Sequence, residues 1–235
     1  MPESRRFVIG DIHGCVKTFR KMLDDKLIVT KQDKIYLLGD YIDRGPDSKM
    51  MLDELMMMQK QSFNIFPLMG NHEYMMLQAL ESDIYFELWQ ANGCGATLLS
   101  FGIPPGELDN PGSVRMIPER YFTFLNSLQY YIMLDDFFLV HAGLGEVYDD
   151  PMEDIDSLLW TRVEIYDTDL LKGRRIIHGH TPKLLHFIEE RIKNPKSKIY
   201  NLDAGCVYRH NPGMGNLAAL NMDTMELFIQ ENIDG

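Results

Sequence analysis

Through its first third the chain alternates short, wholly apolar runs with longer stretches whose apolar residues recur every three or four positions. Phe7-Val8-Ile9 has no polar face, the pattern of a strand buried on both sides, and it stops at Gly10-Asp11. Val16 to Leu27 then carries helical spacing. The cycle repeats with Ile35-Tyr36-Leu37-Leu38, which ends at Gly39-Asp40 and precedes a helix from about Asp47 to Gln61. It repeats again with Phe63 to Met69, which ends at Gly70-Asn71, and helix signals resume from Glu73 to Leu80. Strand, polar loop and helix in this order predict βαβ units and a largely parallel sheet.

Residues 83–130 read as mainly helical, broken by Gly93, Gly95, Pro104-Pro105-Gly106 and Pro111-Gly112. Beyond them, Tyr130 to Met133 and Phe137 to Val140 flank Asp135-Asp136, which predicts a hairpin with a tight acidic turn. Ile176-Ile177, Ile199 to Leu202, Leu217 to Asn221 and Leu227 to Ile229 are further short strands. Parallel units first and antiparallel strands later predict two packed mixed β-sheets with helices outside, a four-layer α/β/β/α arrangement. With no repeat and no linker-like stretch, 1–235 is expected to form a single domain, with a helical cap at about 83–130.

Composition narrows the classes. The 235 residues suffice for one sizeable core, and 45% apolar with 25% charged residues excludes a disordered or coiled-coil chain. Twenty-three basic residues against thirty-five acidic ones leave a net charge of −12, which argues against a general nucleic-acid or membrane-surface binder. No long apolar run and no signal-like core after Met1-Pro2-Glu3-Ser4-Arg5-Arg6 point to a cytoplasmic protein. Cys15, Cys94 and Cys206 are too few and scattered for a disulfide framework, and small buried thiols are expected. Met51, Leu55 and Met58 share one helical face, so the methionine-rich 50–58 stretch reads as core packing.

The chemistry lies just after the strands. Asp11 and His13 stand in Gly-Asp-Ile-His-Gly, Asp40, Asp43 and Arg44 in Gly-Asp-Tyr-Ile-Asp-Arg-Gly, and Asn71, His72 and Glu73 in Gly-Asn-His-Glu. His141 follows in His-Ala-Gly, and His178 and His180 in His-Gly-His-Thr. Ligand-bearing loops of α/β sheets converge at the carboxyl ends of strands. Five of the seven histidines sit in these loops beside Asp and Asn, a mixed nitrogen and oxygen set. Such a set suits two divalent metal ions, Mn²⁺ first, with Fe or Zn²⁺ as alternatives. Two cations sharing a carboxylate lie roughly 3.5–4 Å apart and generate hydroxide between them. Arg44, inside a ligand loop, and Arg162, in Leu-Trp-Thr-Arg, have the guanidinium geometry that clamps phosphate oxygens.

These motifs, in this order and spacing from residue 7 to about 220, resemble the phosphoprotein phosphatase family of binuclear, calcineurin-like metallophosphoesterases. The resemblance implies that Asp11 and His13 hold one metal, Asp40 bridges both, and Asn71, His141 and His180 hold the second. It implies in-line attack by a metal-bridging hydroxide, with His72 as general acid oriented by Asp43. Arg44 and Arg162 would bind phosphoryl oxygens. Glu73 is expected to be structural, and His178 a strand-end residue lining the site. Trp89 to Gly102 and Leu202 to Val207 are similar to elements of bacterial members, which include protein phosphatases and symmetrical dinucleoside tetraphosphatases. Met69 replaces an arginine that many protein-directed members carry before Gly-Asn-His.

The first expectation is therefore a Mn²⁺-dependent serine/threonine protein phosphatase, with hydrolysis of diadenosine tetraphosphate to two ADP as the alternative and an inactive binding scaffold last. The partner is a phosphoprotein, or a small phosphoester or nucleotide, and the net charge favours a basic or neutral phosphopeptide. Tyr85, Trp89, Phe101 and Tyr121 are expected to form helical core rather than to stack a base.

Overall fold

A computed structural model describes residues 4–145, 151–162 and 172–234. Three parallel strands, β1 (Arg6–Ile9), β2 (Lys34–Leu37) and β3 (Asn64–Pro67), pair in register from the Arg6–Lys34 and Lys34–Asn64 partners. Between them run α1 (Val16–Lys21), prolonged by a π-helical turn over Met22–Leu27, and α2 (Ser48–Lys60), whose N-terminus is capped by Asp47 accepting from the Met50 amide. After β3 come α3 (Asn71–Gln78), α4 (Asp83–Ala91), α5 (Cys94–Ser100) and α6 (Glu119–Asn126), with 3₁₀ turns at Pro105–Glu107 and Pro111–Met116.

A second sheet starts with the hairpin of β4 (Tyr131–Met133) and β5 (Phe137–Val140). It continues through α7 (Ile155–Trp160), β6 (Arg175–His178), α8 (Leu185–Lys193) and β7 (Ile199–Asn201). The last strands, β8 (Asn216–Asn221) and β9 (Glu226–Glu231), form a hairpin. The sheets run β3-β2-β1-β8-β9 and β4-β5-β6-β7. Both are mixed, as expected, but the division does not follow the halves of the chain. β5, β6 and β7 are parallel, whereas the late β8–β9 hairpin returns to pair antiparallel with β1. That pairing joins Val8 to Leu220 across the length of the chain, which local patterning does not encode.

Alternate residues of each strand explain the layers. Phe7, Ile9, Ile35 and Leu37 face outward onto Phe19, Met51, Leu55, Met58, Phe86, Trp89 and Tyr121. Val8, Tyr36, Leu38 and Leu220 turn the other way, onto Phe137, Leu139, Ile177 and Tyr200 of the second sheet. Phe138, Val140 and Ile176 cover that sheet's far face with Leu158 of α7. Met51, Leu55 and Met58 are buried as read from the sequence, while Met50 and Met57 point to solvent. The 83–130 helices share the first of these cores rather than forming one of their own. No helix among the described residues is long and apolar enough to cross a membrane.

Candidate active site

Strands β1, β2, β3, β5 and β6 all end at one edge, and each delivers polar side chains there. Asp40, just past β2, occupies the centre. Its Oδ2 lies 3.5 Å from His13 Nε2 and its Oδ1 lies 3.4 Å from His141 Nε2, so its two oxygens face different histidines. Ligand-type atoms of His13, Asp40 and His72 form one cluster, and those of Asp40, His141 and His180 form a second. Asn71, the first residue of α3, joins the second group through Oδ1, 2.9 Å from His141 Nε2 and 3.2 Å from His180 Nδ1. Asp11 stands behind, its carboxylate accepting the His180 backbone N–H.

The imidazoles are prepared to be ligands. His13 Nδ1 and His141 Nδ1 lie 2.8 Å and 2.7 Å from the Ile42 and Leu38 carbonyls. A carbonyl only accepts, so Nδ1 carries the proton and the Nε2 lone pair faces Asp40. Burial, reinforced by neighbouring positive groups, pushes His13 and His180 down to about 3, and burial likewise lowers His141, which keeps all three rings neutral. Asp11 and Asp203 make the opposite demand. Burial and the charges of Asp203 and Asp40 raise Asp11 well above its ordinary range, and burial drives Asp203 up to about 7. Neutral imidazoles around crowded, desolvated carboxylates form a donor set that divalent cations satisfy. His180 Nε2 is buried without a hydrogen-bond partner among the described residues, a further mark of fit.

Backbone strain is concentrated here. His13, Asp40, Asp43, Arg44 and His180 all have φ between 49° and 70°, the left-handed region that costs a non-glycine residue on the order of 1–3 kcal/mol. Glu73 holds the Asp40 loop in place: its carboxylate accepts the amides of Asp40 (2.9 Å), Tyr41 (2.7 Å), Ile42 (3.2 Å) and Gly70 (3.0 Å). Gly70 must be glycine, because a Cβ there would lie 2.3 Å from both Asp40 N and Asp40 Oδ1. Glu73 is thus structural, as read from the sequence.

His72 turns its Nδ1 to Asp43 Oδ2 at 2.6 Å and leaves Nε2 3.8 Å from Asp40 Oδ2, over the same space as the ligand cluster. Burial opposes its protonation, but Asp40 and the Asp43 hydrogen bond outweigh burial and raise its pKa. Asp43 is itself fixed by the Trp89 indole N–H at 2.7 Å and the Thr97 hydroxyl at 2.5 Å. Trp89 and Tyr121 are fully buried, in keeping with the core reading. The structure adds that Trp89 acts as a polar anchor, which nothing in its helical spacing revealed. Arg44 lies with Nη1 2.9 Å from His13 Nε2 and its guanidinium 5.9 Å from the Tyr208 ring centre.

Arg162 is exposed just past α7, and its charge is felt at His180. His178 is buried at the end of β6, beside the loop that carries His180. Asp203, beside Asp11, and Tyr208, beside Arg44, carry no signal in the sequence that marks them as site residues. Both follow β7, in the element between Leu202 and Val207 and just beyond, and only the sheet order brings that element to the metal-type loops.

A family profile described as calcineurin-like phosphoesterase matches residues 4–205. The chain belongs to that family. A symmetrical bis(5'-nucleosyl)-tetraphosphatase of Wigglesworthia glossinidia brevipalpis is 46% identical over 71 residues, covering 30% of this chain and 25% of that protein. Serine/threonine-protein phosphatase 1 of Salmonella typhimurium is 40% identical over 87 residues, 37% of this chain and 38% of that protein. An asymmetrical bis(5'-nucleosyl)-tetraphosphatase of Bacillus thuringiensis is 26% identical, covering 93% of this chain and 91% of that protein. The matches to the first two relatives thus span well under half of those proteins. Among solved structures, one titled as a putative diadenosine tetraphosphatase superposes with a TM-score of 0.61 at 19% identity, covering 100% of this chain and 96% of that one. The fold is that of the calcineurin-like metallophosphoesterases.

Proposed function

We propose that the chain hydrolyses phosphoric esters and anhydrides of nucleotides, with dinucleoside polyphosphates as the leading substrate class. The observation that carries the catalytic part is the placement of Asp40 between two histidine clusters, with the His72–Asp43 pair alongside. Asp11, His13 and Asp40 would hold one divalent cation, and Asp40, Asn71, His141 and His180 a second, Mn²⁺ being the metal favoured by the mixed donor set. Bound there, the cations supply Lewis acidity and a hydroxide nucleophile at neutral pH.

The remaining work belongs to the chain. Arg44 reaches over His13 and binds phosphoryl oxygens, with Arg162 approaching from the His180 side. His72, whose Nδ1 is held by Asp43, gives its Nε2 proton to the leaving oxygen. Asp43 fixes the ring by accepting from Nδ1 and is held in turn by Trp89 and Thr97. The 83–130 helices therefore act within one domain as the support of the acid, beyond any capping role.

The likeness to a tetraphosphatase over nearly the whole chain supports the nucleotide reading. A phosphoserine/phosphothreonine protein substrate is the second reading, favoured by the Salmonella relative and by the net charge of −12, which suits a basic phosphopeptide. A cytoplasmic setting accords with either. The test is to strip metals with a chelator, restore Mn²⁺, and identify products from diadenosine tetraphosphate and from a phosphothreonine peptide. Two ADP, or ATP with AMP, at a higher kcat/KM than phosphate release from the peptide supports the nucleotide reading. The reverse order supports the protein phosphatase. No Mn²⁺-dependent turnover of either would remove both.

A further inference from the structure

Beside the metal-type cluster lies an open groove of about 540 Å³, lined by Arg44, Ala91, Asn92, Gly93, Val207 and Tyr208. One wall is the end of α4, tied to the catalytic loop by the Arg44 amide donating to Gly93 O at 3.4 Å. Gly93 has φ of 100°, and a Cβ there would press on Arg44 Cγ at 3.1 Å, so the glycine lets this wall stand against the arginine. The opposite wall is a turn closed by Tyr208 N–H to Gly205 O at 2.8 Å and Gly215 N–H to Gly205 O at 3.0 Å. It springs from Leu202 and Asp203, which pass so close to Gly10, the neighbour of Asp11, that a Cβ on that glycine would lie 2.2 Å from Leu202 O.

The chemistry of the groove is specific. Tyr208 is half-buried, lines the groove, and stands 5.9 Å from the Arg44 guanidinium, so Arg44 and the aromatic face are reached from the same space. Asn92 donates Nδ2 to Leu88 O at 2.9 Å, which leaves its Oδ1 as an acceptor. Among the described residues no carboxylate lines the groove, and the next residue of the turn, Arg209, is an exposed cation. In a chain of net charge −12 this is a local exception. An aromatic face, an amide acceptor and a basic neighbour, all next to the phosphoryl-binding arginine, match a nucleobase carried on phosphates.

We propose that this groove is the subsite for the nucleoside beyond the reacting phosphoryl group, with its base stacked on Tyr208. The proposal rests on the phosphoesterase reading above and deepens it by naming the part of the substrate that is recognised. The experiment compares Mn²⁺-restored wild type, Tyr208→Ala and Tyr208→Phe on three substrates: diadenosine tetraphosphate, glycerol 2-phosphate, and a phosphothreonine peptide without aromatic residues. Tyr208→Ala should raise KM for diadenosine tetraphosphate about tenfold, as removal of a stacking aromatic does. Its loss in kcat/KM should be at least about fivefold larger on the nucleotide than on glycerol 2-phosphate, with Tyr208→Phe restoring the wild-type ratio. A loss shared equally by all three substrates, a loss confined to the peptide, or an unchanged nucleotide KM would overturn the subsite. A wild-type protein that turns over none of the three overturns the phosphoesterase reading itself, and the subsite with it.

Discussion

Asp43 is wholly buried and commits its carboxylate oxygens to three donors, His72, Trp89 and Thr97. Its negative charge is one reason that the pKa of His72 is raised, the other being Asp40. An acid must be protonated to act, so activity falls as pH climbs through the His72 pKa. Asp43→Asn removes part of what raises that pKa, so the alkaline limb of the pH–kcat profile should move to lower pH. The accompanying loss in kcat should be about 10–10²-fold, smaller than the 10²–10⁴-fold expected for His72→Asn. An alkaline limb that stays in place would deny His72 the acid role. A second residue gives a clean stability reading away from the site. Burial would raise Asp33, but bonds from Arg5 and Thr30 outweigh burial and hold it at about 2, below its ordinary 3.8. A depressed carboxylate stabilises the fold above its unfolded pKa, and that contribution is lost as pH falls through the folded value. Asp33→Asn should therefore lower Tm at pH 7, with the gap to wild type closing between pH 3.8 and about 2. A gap of constant size across that range would mean that the charge contributes nothing.

At the scale of elements, the start of α3 holds the site together. Gly70 stands at its N-terminus, Asn71 and His72 open the first turn, and Glu73 reaches back to four amides, three of them in the Asp40 loop. Glu73→Gln replaces an accepting oxygen with an NH₂ group that confronts a buried N–H. The cost should be about 2–4 kcal/mol in urea unfolding, from leaving buried donors unsatisfied, together with weakened metal uptake. Unfolding at the wild-type midpoint would show that the clamp is dispensable. Much of this architecture was legible. β1 and β2 declare themselves because both their faces are buried, and the β4–β5 hairpin because Asp135-Asp136 interrupts two apolar runs. α3 starts two residues before the Glu73 that the pattern indicates, since Asn71 and His72 look like loop until the Glu73 clamp is seen. α8 leaves no clear period in the sequence because Ile188 is its one buried side chain, too thin a stripe to register. Histidines and carboxylates beside glycines marked the loops of the site. The Trp89–Asp43 bond and the approach of Asp203 and Tyr208 arise from chain returns that no local pattern encodes.

For the whole molecule, the question is how an acidic protein meets an anionic substrate. The net charge of −12 belongs to the whole chain, while Arg44 and the exposed Arg209, joined by any cations the metal-type cluster holds, would gather the opposite sign at one strand edge. At low salt the Debye length is roughly 30 Å at 0.01 M, so an approaching tetraphosphate feels the entire molecule; at 0.15 M it shrinks to about 8 Å and only the local groups count. Repulsion should thus dominate the first regime and attraction the second. For diadenosine tetraphosphate, kcat/KM is expected to rise roughly 2–5-fold between these salt concentrations, through the association step rather than kcat. A basic phosphopeptide should show the opposite slope, since the same negative field draws it in. If the nucleotide rate instead falls with salt, the field at the mouth of the site is already positive at long range. The basic turn and Arg44 would then steer substrate as well as bind it, and charge reversal at Arg209 should flatten the dependence.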